Sequence, residues 1–469
     1  MIRIVWRYDR GQVSMSELAG SSPEAVARLA LPPNVRATPV FEGSREKLAA
    51  LTESMPEAMR QDSINDLARY DQTYVEDEAA ASPVLRSLEA ARRGGTIASF
   101  EVQLDIGPQA PALEADDNEN ETGCQPIAVP AGVRSSSWDR CQRYLGPAAP
   151  PGTSCGVDAR FAWTLQGGRG GGVRLVDLEG GWNLDHEDLK GRVVSRLGTV
   201  VNRSHGTAVL GILWANHDNG VGVKGMVPNA RIGVAPLEVP DEFPNPERLM
   251  QKVAEWLGPG DVLLIEVAGI RPDLPTTRLP VEAWSHGIAA LNTLHQENIY
   301  VVEVAGNGGR NLDSVPGIPA SNPALMVGAG EPRSGQAASF SNRGRRVDLQ
   351  GWGGRVVTTG SSSSQRSRNL QFSEPNRCYT KSFDGTSSAA AIVAGCVTAI
   401  SGVVKANDFD PLSAEEMKEL LIRTGSFPDR AENNGIGPLP NLRTALLDLE
   451  ADLRARTPGF QRFRRVQAQ

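Results

Sequence analysis

The chain is 469 residues long, with 40% hydrophobic and 22% charged residues, a globular balance in a length that exceeds one ordinary core. A formal net charge of -7 leaves no basic surplus for a phosphate-binding face, so a nucleic-acid partner is not expected. The 49 glycines and 32 prolines imply many tight turns and exclude a long helical bundle.

The opening MIRIVWRYDRGQVSMSEL has no apolar stretch of secretory-signal length. From there to residue 108 the chain alternates strand and helix signals. VRATPVFEG followed by EKLAALTESM reads strand–helix, and LARYDQTYV, SPVLRSLEAARR and TIASFEVQLDI read strand–helix–strand. Residues 1–108 are therefore expected to form a small α+β unit. Residues 109–154 follow, beginning with the acidic, Pro- and Gly-containing QAPALEADDNENETG, and read as an exposed linker. Three of the five cysteines, Cys124, Cys141 and Cys155, fall in or just after it, which allows one disulfide there. No CxxC or Cys/His spacing suggests zinc. The odd cysteine count leaves the compartment open, with a lean to the cytoplasm.

From residue 155 to 450 the pattern changes. Short apolar runs, VRLVDL (173–178), ARIGVAPL (230–237), DVLLIEVAG (261–269), YVVEVAG (300–306) and ALMVGAG (324–330), are separated by helical segments. Near-continuous apolar strands alternating with helices predict an α/β fold with a central parallel sheet covered by helices on both faces. Chemistry in such sheets gathers at the carboxyl ends of the strands. The glycine cluster GGRGGGV (167–173) precedes a strand instead of following one, so it is not a dinucleotide fingerprint. The longest apolar run, Ala389 to Val404, is broken by Thr398 and Ser401 and falls short of the roughly 20 residues that cross a bilayer. It reads as a helix buried at the centre of a domain, and no membrane association is expected. The final 451–469 is basic and reads as a solvated tail.

Four residues stand where reacting groups would be placed. Asp177 comes at the end of VRLVD, where an ionised carboxylate needs partners. His205 sits in SHGTAVLGI, at a helix start marked by Ser204 and Thr207. His286 shares the Ser-His-Gly triplet but lies within a helical run. Asn307 closes YVVEVAGN, where an amide can donate to a developing oxyanion. In FDGTSSAAAIVAGC (383–396), Asp384 and Gly385-Thr386 turn into a helix and put Ser387 at its N-terminus, among unpaired N–H groups. Each alone has an ordinary reading, such as a turn, a cap or a structural histidine. The order Asp…His…Ser, each in its context, is one of the convergent arrangements of a serine nucleophile with its base.

Together these segments resemble the subtilisin family (subtilases). The resemblance is carried by VRLVDLEGGWNLDHEDL, SHGTAVLGI, NGVGVKGMVPNARI, AGN at 305–307, ASFSNRG at 338–344 and GTSSAAAIVAG at 385–395. It implies a serine endopeptidase with Ser387 as nucleophile, His205 as general base, Asp177 as its orienter and Asn307 as oxyanion donor. His186 becomes a loop residue of the motif. Glu266, Val267, Ala268 and Gly269 would flank a bound peptide. Glu179-Gly180 stands where the family has Thr-Gly directly after the Asp, Ala391 where it has Pro, and Glu266 and Ala268 where it has Ser and Gly. Relatives commonly hold calcium, but no segment here spells such a site, and no cofactor is expected to be required. The expected partners are a peptide or protein substrate and the chain's own N-terminal unit, acting as a propeptide-like inhibitor or a regulatory domain. A catalytically silent binding protein and a peptide ligase or cyclase are the alternatives.

Overall fold

The computed structural model describes residues 2–8, 29, 31–32, 37–39, 70–75, 78–94, 96–108, 137–149, 153–201, 204–237, 245–360, 369–371, 374–427 and 435–466. The expected helix at EKLAALTESM lies outside them, as does 109–136 of the expected linker.

The N-terminal unit contains β1 (Ile2–Tyr8), β2 (Thr38–Pro39), β3 (Tyr70–Val75), α1 (Glu78–Arg93) and β4 (Ile97–Gln103). The four strands form an antiparallel sheet in the order β2-β3-β1-β4. The two-residue period of a strand sorts β1 cleanly. Ile4 and Trp6 pack with Val84 and Leu88 of α1, whereas Val5 and Tyr70 of β3 join a core belonging to the larger domain. The expected single strand TIASFEVQLDI is broken at Leu104: β5 (Asp105–Pro108) leaves the N-terminal sheet and pairs elsewhere.

The larger domain begins with a segment expected to be linker. Trp138, Tyr144 and Leu145 are buried, and Trp138 N–H donates to the Gly222 carbonyl. Cys141 is disulfide-bonded, while Cys155, Cys378 and Cys396 are buried free thiols. Next come α2 (Ala159–Ala162), β6 (Arg174–Glu179), β7 (Ser195–Arg196), α3 (Ser204–Trp214), β8 (Arg231–Pro236), α4 (Pro246–Ala254), β9 (Val262–Ile265), β10 (Val267–Arg271), β11 (Leu274–Leu279), α5 (Ser285–Gln296), β12 (Tyr300–Val304), β13 (Leu325–Gly330) and β14 (Leu349–Trp352). Of these, seven strands form one all-parallel sheet, ordered β14-β13-β12-β9-β6-β8-β7. This is the predicted architecture. The chain continues through β15 (Val356–Gly360), β16 (Asn369–Gln371) and β17 (Cys378–Phe383) into α6 (Gly385–Ala406), α7 (Ala414–Thr424) and α8 (Leu442–Arg456).

Alternation along the central strands divides the two faces. Leu175 of β6 and Leu264 of β9 face the core built on α3, α6 and α8, whereas Val176 and Leu263 face α4 and α5. Asp177 and Glu179 fall in register with Leu175, and Glu266 with Leu264. Three acids therefore point toward the α3–α6 face. The helix α6 is long and apolar enough to span a bilayer by composition, yet it is wholly buried in the domain. The C-terminal segment is not a solvated tail. Phe463 is 1% exposed, Phe460 stacks edge-on against Phe409 and Phe463, and Arg465 bridges to Leu165.

Candidate active site

The strand β6 runs two residues beyond Asp177, and its last residue, Glu179, reaches the sheet's carboxyl edge. There Glu179 Oε2 meets Nδ1 of His205, and its Oε1 accepts the backbone N–H of Gly180 at 2.6 Å. The expected Asp177–His205 pair is not formed. Asp177 is fully buried, and its Oδ2 accepts from Trp182 Nε1 at 2.7 Å. The physical reason is position. Both acids share a face of β6, but only the terminal one stands level with the start of α3.

The His-Gly-Thr triplet is explained by what surrounds it. A Cβ on Gly206 would lie 2.4 Å from the Gly181 carbonyl, 2.6 Å from Trp182 Nε1 and 2.7 Å from Glu179 Cγ, so only glycine lets the loop close over the helix. Thr207 Oγ1 accepts from Asn183 N–H at 2.8 Å. On the far side, Thr358 and Thr359 of β15 donate to the Ala208 and Thr207 carbonyls at 2.7 and 2.6 Å. The first turn of α3 is thus clamped from two sides. The His205 ring packs edge-on against Phe383, centroids 5.3 Å apart, and its side chain is 14% exposed.

Ser387 lies in the first turn of α6. Gly385 opens that helix at φ +93°, in the left-handed region. Asn307 packs directly beside it: Oδ1 accepts from Thr386 N–H and from Thr386 Oγ1, both at 2.9 Å. That double acceptance fixes which end of the amide is oxygen. Nδ2 then lies 3.0 Å from where a Cβ on Gly385 would sit, at the mouth of the helix. Ser388, the neighbouring hydroxyl, donates to the Trp352 carbonyl at 2.7 Å and is structural. Ser387 Oγ is buried without a hydrogen bond of normal geometry.

Glu266, placed by sequence on the peptide-flanking strand, is fully buried between β9 and β10. Burial, then the charges of Asp177 and Glu179, push its carboxyl well above the usual range, and only the facing Ser387 hydroxyl opposes this. Asp177 is likewise raised, by burial first and Glu179 second, with the Trp182 bond pulling the other way. Val267, Ala268 and Gly269 lie on β10, which pairs antiparallel with β11 on one side and β5 on the other: Val267 opposes Pro108, Ala268 opposes Gly107 and Gly269 opposes Ile106.

The other histidines are structural in position. His186 Nδ1 accepts from Asp188 N–H, so Nε2 donates to the Cys378 carbonyl, and burial lowers its pKa to about 4. His217 bonds the Gly225 carbonyl. His286 is fully buried where the two units meet, with Nδ1 2.9 Å from Glu101 of β4 and Nε2 3.4 Å from Glu247 of α4. Glu101 also accepts the N–H of Ser285, at the start of α5. Arg3 of β1 completes the group with a 2.8 Å ion pair to Glu247. Among the described residues, no group of three or more His, Cys, Asp or Glu is arranged to hold a metal ion.

A family model described as the subtilase family matches residues 181–438. The chain is 28% identical over 207 residues to the thermophilic serine proteinase of Bacillus sp. strain AK1, covering 42% of this chain and 48% of the relative. It is 26% identical over 270 residues to the extracellular basic protease of Dichelobacter nodosus, covering 55% and 41% respectively. The chain thus spans less than half the length of these two relatives. Thermitase from Thermoactinomyces vulgaris is 24% identical over 284 residues, covering 58% of this chain and 89% of thermitase. Among solved structures, fervidolysin from Fervidobacterium pennivorans, a keratinolytic enzyme related to subtilisin, superposes with a TM-score of 0.59 at 14% identity. That match covers 95% of this chain and 60% of the other; at this identity the likeness concerns the fold alone.

Proposed function

Because the chain belongs to the subtilase family, we propose that it is a serine endopeptidase whose reacting groups are Ser387, His205, Glu179 and Asn307. The observation that carries this reading is the Glu179–His205 pair at one sheet edge. With Nδ1–H given to Glu179, the imidazole keeps its lone pair on Nε2, the atom a general base needs. Ser387 Oγ attacks the scissile carbonyl as its proton passes to Nε2. Asn307 Nδ2 and N–H groups at the start of α6 receive the oxyanion. The His205 proton then goes to the leaving amine, and water releases the acyl group by the same steps in reverse. Glu179 takes the orienting role that sequence gave to Asp177. The single test is labelling by a fluorophosphonate serine probe, in the intact chain and after cleavage behind Pro108: reaction of the wild type in either form and none in Ser387→Ala supports the reading, and a wild type unlabelled in both forms overturns it.

The N-terminal unit is proposed as an intramolecular inhibitor. Two observations support this: β5 occupies an edge of β10, and Glu101 sits on the N-terminus of α5. Removal of β5 would open an unpaired strand edge at Val267–Gly269, the kind of edge that accepts an extended peptide.

A further inference from the structure

The buried face beneath Ser387 carries three acids and one imidazole, and each acid has a different set of partners. Glu179 has a backbone N–H on one oxygen and His205 on the other, the partners an ionised carboxylate needs. Asp177 has Trp182. Glu266 is the exception: it is 0% exposed, neither of its oxygens closes a hydrogen bond of normal geometry, and it faces Ser387 Oγ, itself buried and unsatisfied. The charged or titratable groups facing it are Asp177 and Glu179 from β6, with His205 of α3 beyond Glu179. Among the described residues no cation pairs with it. A lone carboxylate in such a place is far too costly, so the resting form is the neutral acid.

A neutral acid has an O–H to give, and Ser387 Oγ has lone pairs to receive it. We propose that Glu266 is a positioning residue for Ser387: as the neutral acid it donates to Oγ and leaves the serine proton for His205 Nε2, and as the carboxylate it captures that proton's hydrogen bond and turns the serine away. The proposal rests on the reading of Ser387 as nucleophile. It gives this site a second requirement beyond an unprotonated His205, namely a protonated Glu266. The pH profile of the serine's reactivity is then bell-shaped, with an alkaline limb that belongs to Glu266.

The experiment measures the rate of fluorophosphonate labelling of the full chain, and kcat and KM on a chromogenic peptide, over roughly pH 5 to 10. In the wild type the alkaline limb falls about tenfold per pH unit, as for one ionisation. Glu266→Gln, which cannot ionise, keeps the acid limb and loses the alkaline one. Glu266→Leu also lacks that limb, and without a donor its maximal kcat drops about tenfold at little-changed KM. A wild type with no alkaline limb, or a Glu266→Gln protein that retains it, overturns the proposal while leaving the serine-peptidase reading intact. Absence of any Ser387-dependent labelling in the wild type, both intact and cut behind Pro108, removes both.

Discussion

Trp182 Nε1 donates to Asp177 Oδ2 across 2.7 Å, and the same indole lies over the start of α3, where Gly206 makes room for it. The bond commits the deeper of two strand acids to the loop and leaves the terminal one for His205. Amide replacement therefore separates the two acids. Glu179→Gln should lower kcat by about 10⁴-fold, the scale of loss when a triad's orienting acid is neutralised. Asp177→Asn keeps an acceptor for Trp182 and should stay within about tenfold of wild type. Steady-state kinetics on one peptide substrate checks both.

His205→Ala and Ser387→Ala should each abolish nearly all turnover, and the double variant should be hardly slower than either, because the groups act as one unit. Additive losses in kcat would count against their assignment.

Asn307→Ala should reduce kcat about 100- to 1000-fold with KM little changed, the signature of a donor used mainly in the transition state. The same substitution removes the Oδ1 acceptor for Thr386, so a melting curve is needed alongside. A loss confined to KM would place Asn307 in ground-state binding instead.

Arg3→Met removes the cation that pairs with buried Glu247. Burial alone would raise the Glu247 carboxyl, and Arg3 and His286 together more than offset that. Breaking such a pair costs about 3–5 kcal/mol. Docking of the N-terminal unit should weaken accordingly, and Ser387 labelling in the full chain should accelerate. An unchanged labelling rate would show that the unit does not guard the serine.

The buried acids also set a pH dependence of stability. Asp177 is held above its unfolded value by burial and by Glu179, so the folded chain keeps a proton that the unfolded chain loses. Its contribution is harmless below the unfolded carboxylate range, and it becomes increasingly destabilising as pH rises toward the folded value. Asp177→Asn should thus gain Tm relative to wild type as pH goes from about 5 to 8. A constant Tm difference across that range would contradict this.

The central sheet was legible because its strands are nearly continuous in apolar residues, and the segment at 383–396 because a run of Ala and Gly can only be a helix packed on all sides. The choice between Asp177 and Glu179 was less accessible. It depends on where β6 ends, and strand ends are set by neighbours such as β8, whose pairing extends to Glu179 opposite Pro236. The useful signal was the Gly-Gly directly after Glu179, which marks the true turn. Phe463 was hidden by its setting, since arginines around one aromatic read as solvated until a pocket lined by Phe409 and Phe460 is seen. The exit of β5 was equally hidden, because a partner strand more than 150 residues away leaves no local trace.

Only Leu104 separates β4 from β5, and its N–H donates to the Ile270 carbonyl. The chain running on past Pro108 keeps this ready-made rival for the β10 edge covalently attached, at an effective concentration on the order of millimolar. A peptide arriving from solution must outcompete that local concentration, so dilution alone cannot release the edge. Severing the chain after Pro108 would turn a first-order rebinding into a bimolecular one, and the same contacts would then yield as the protein is diluted.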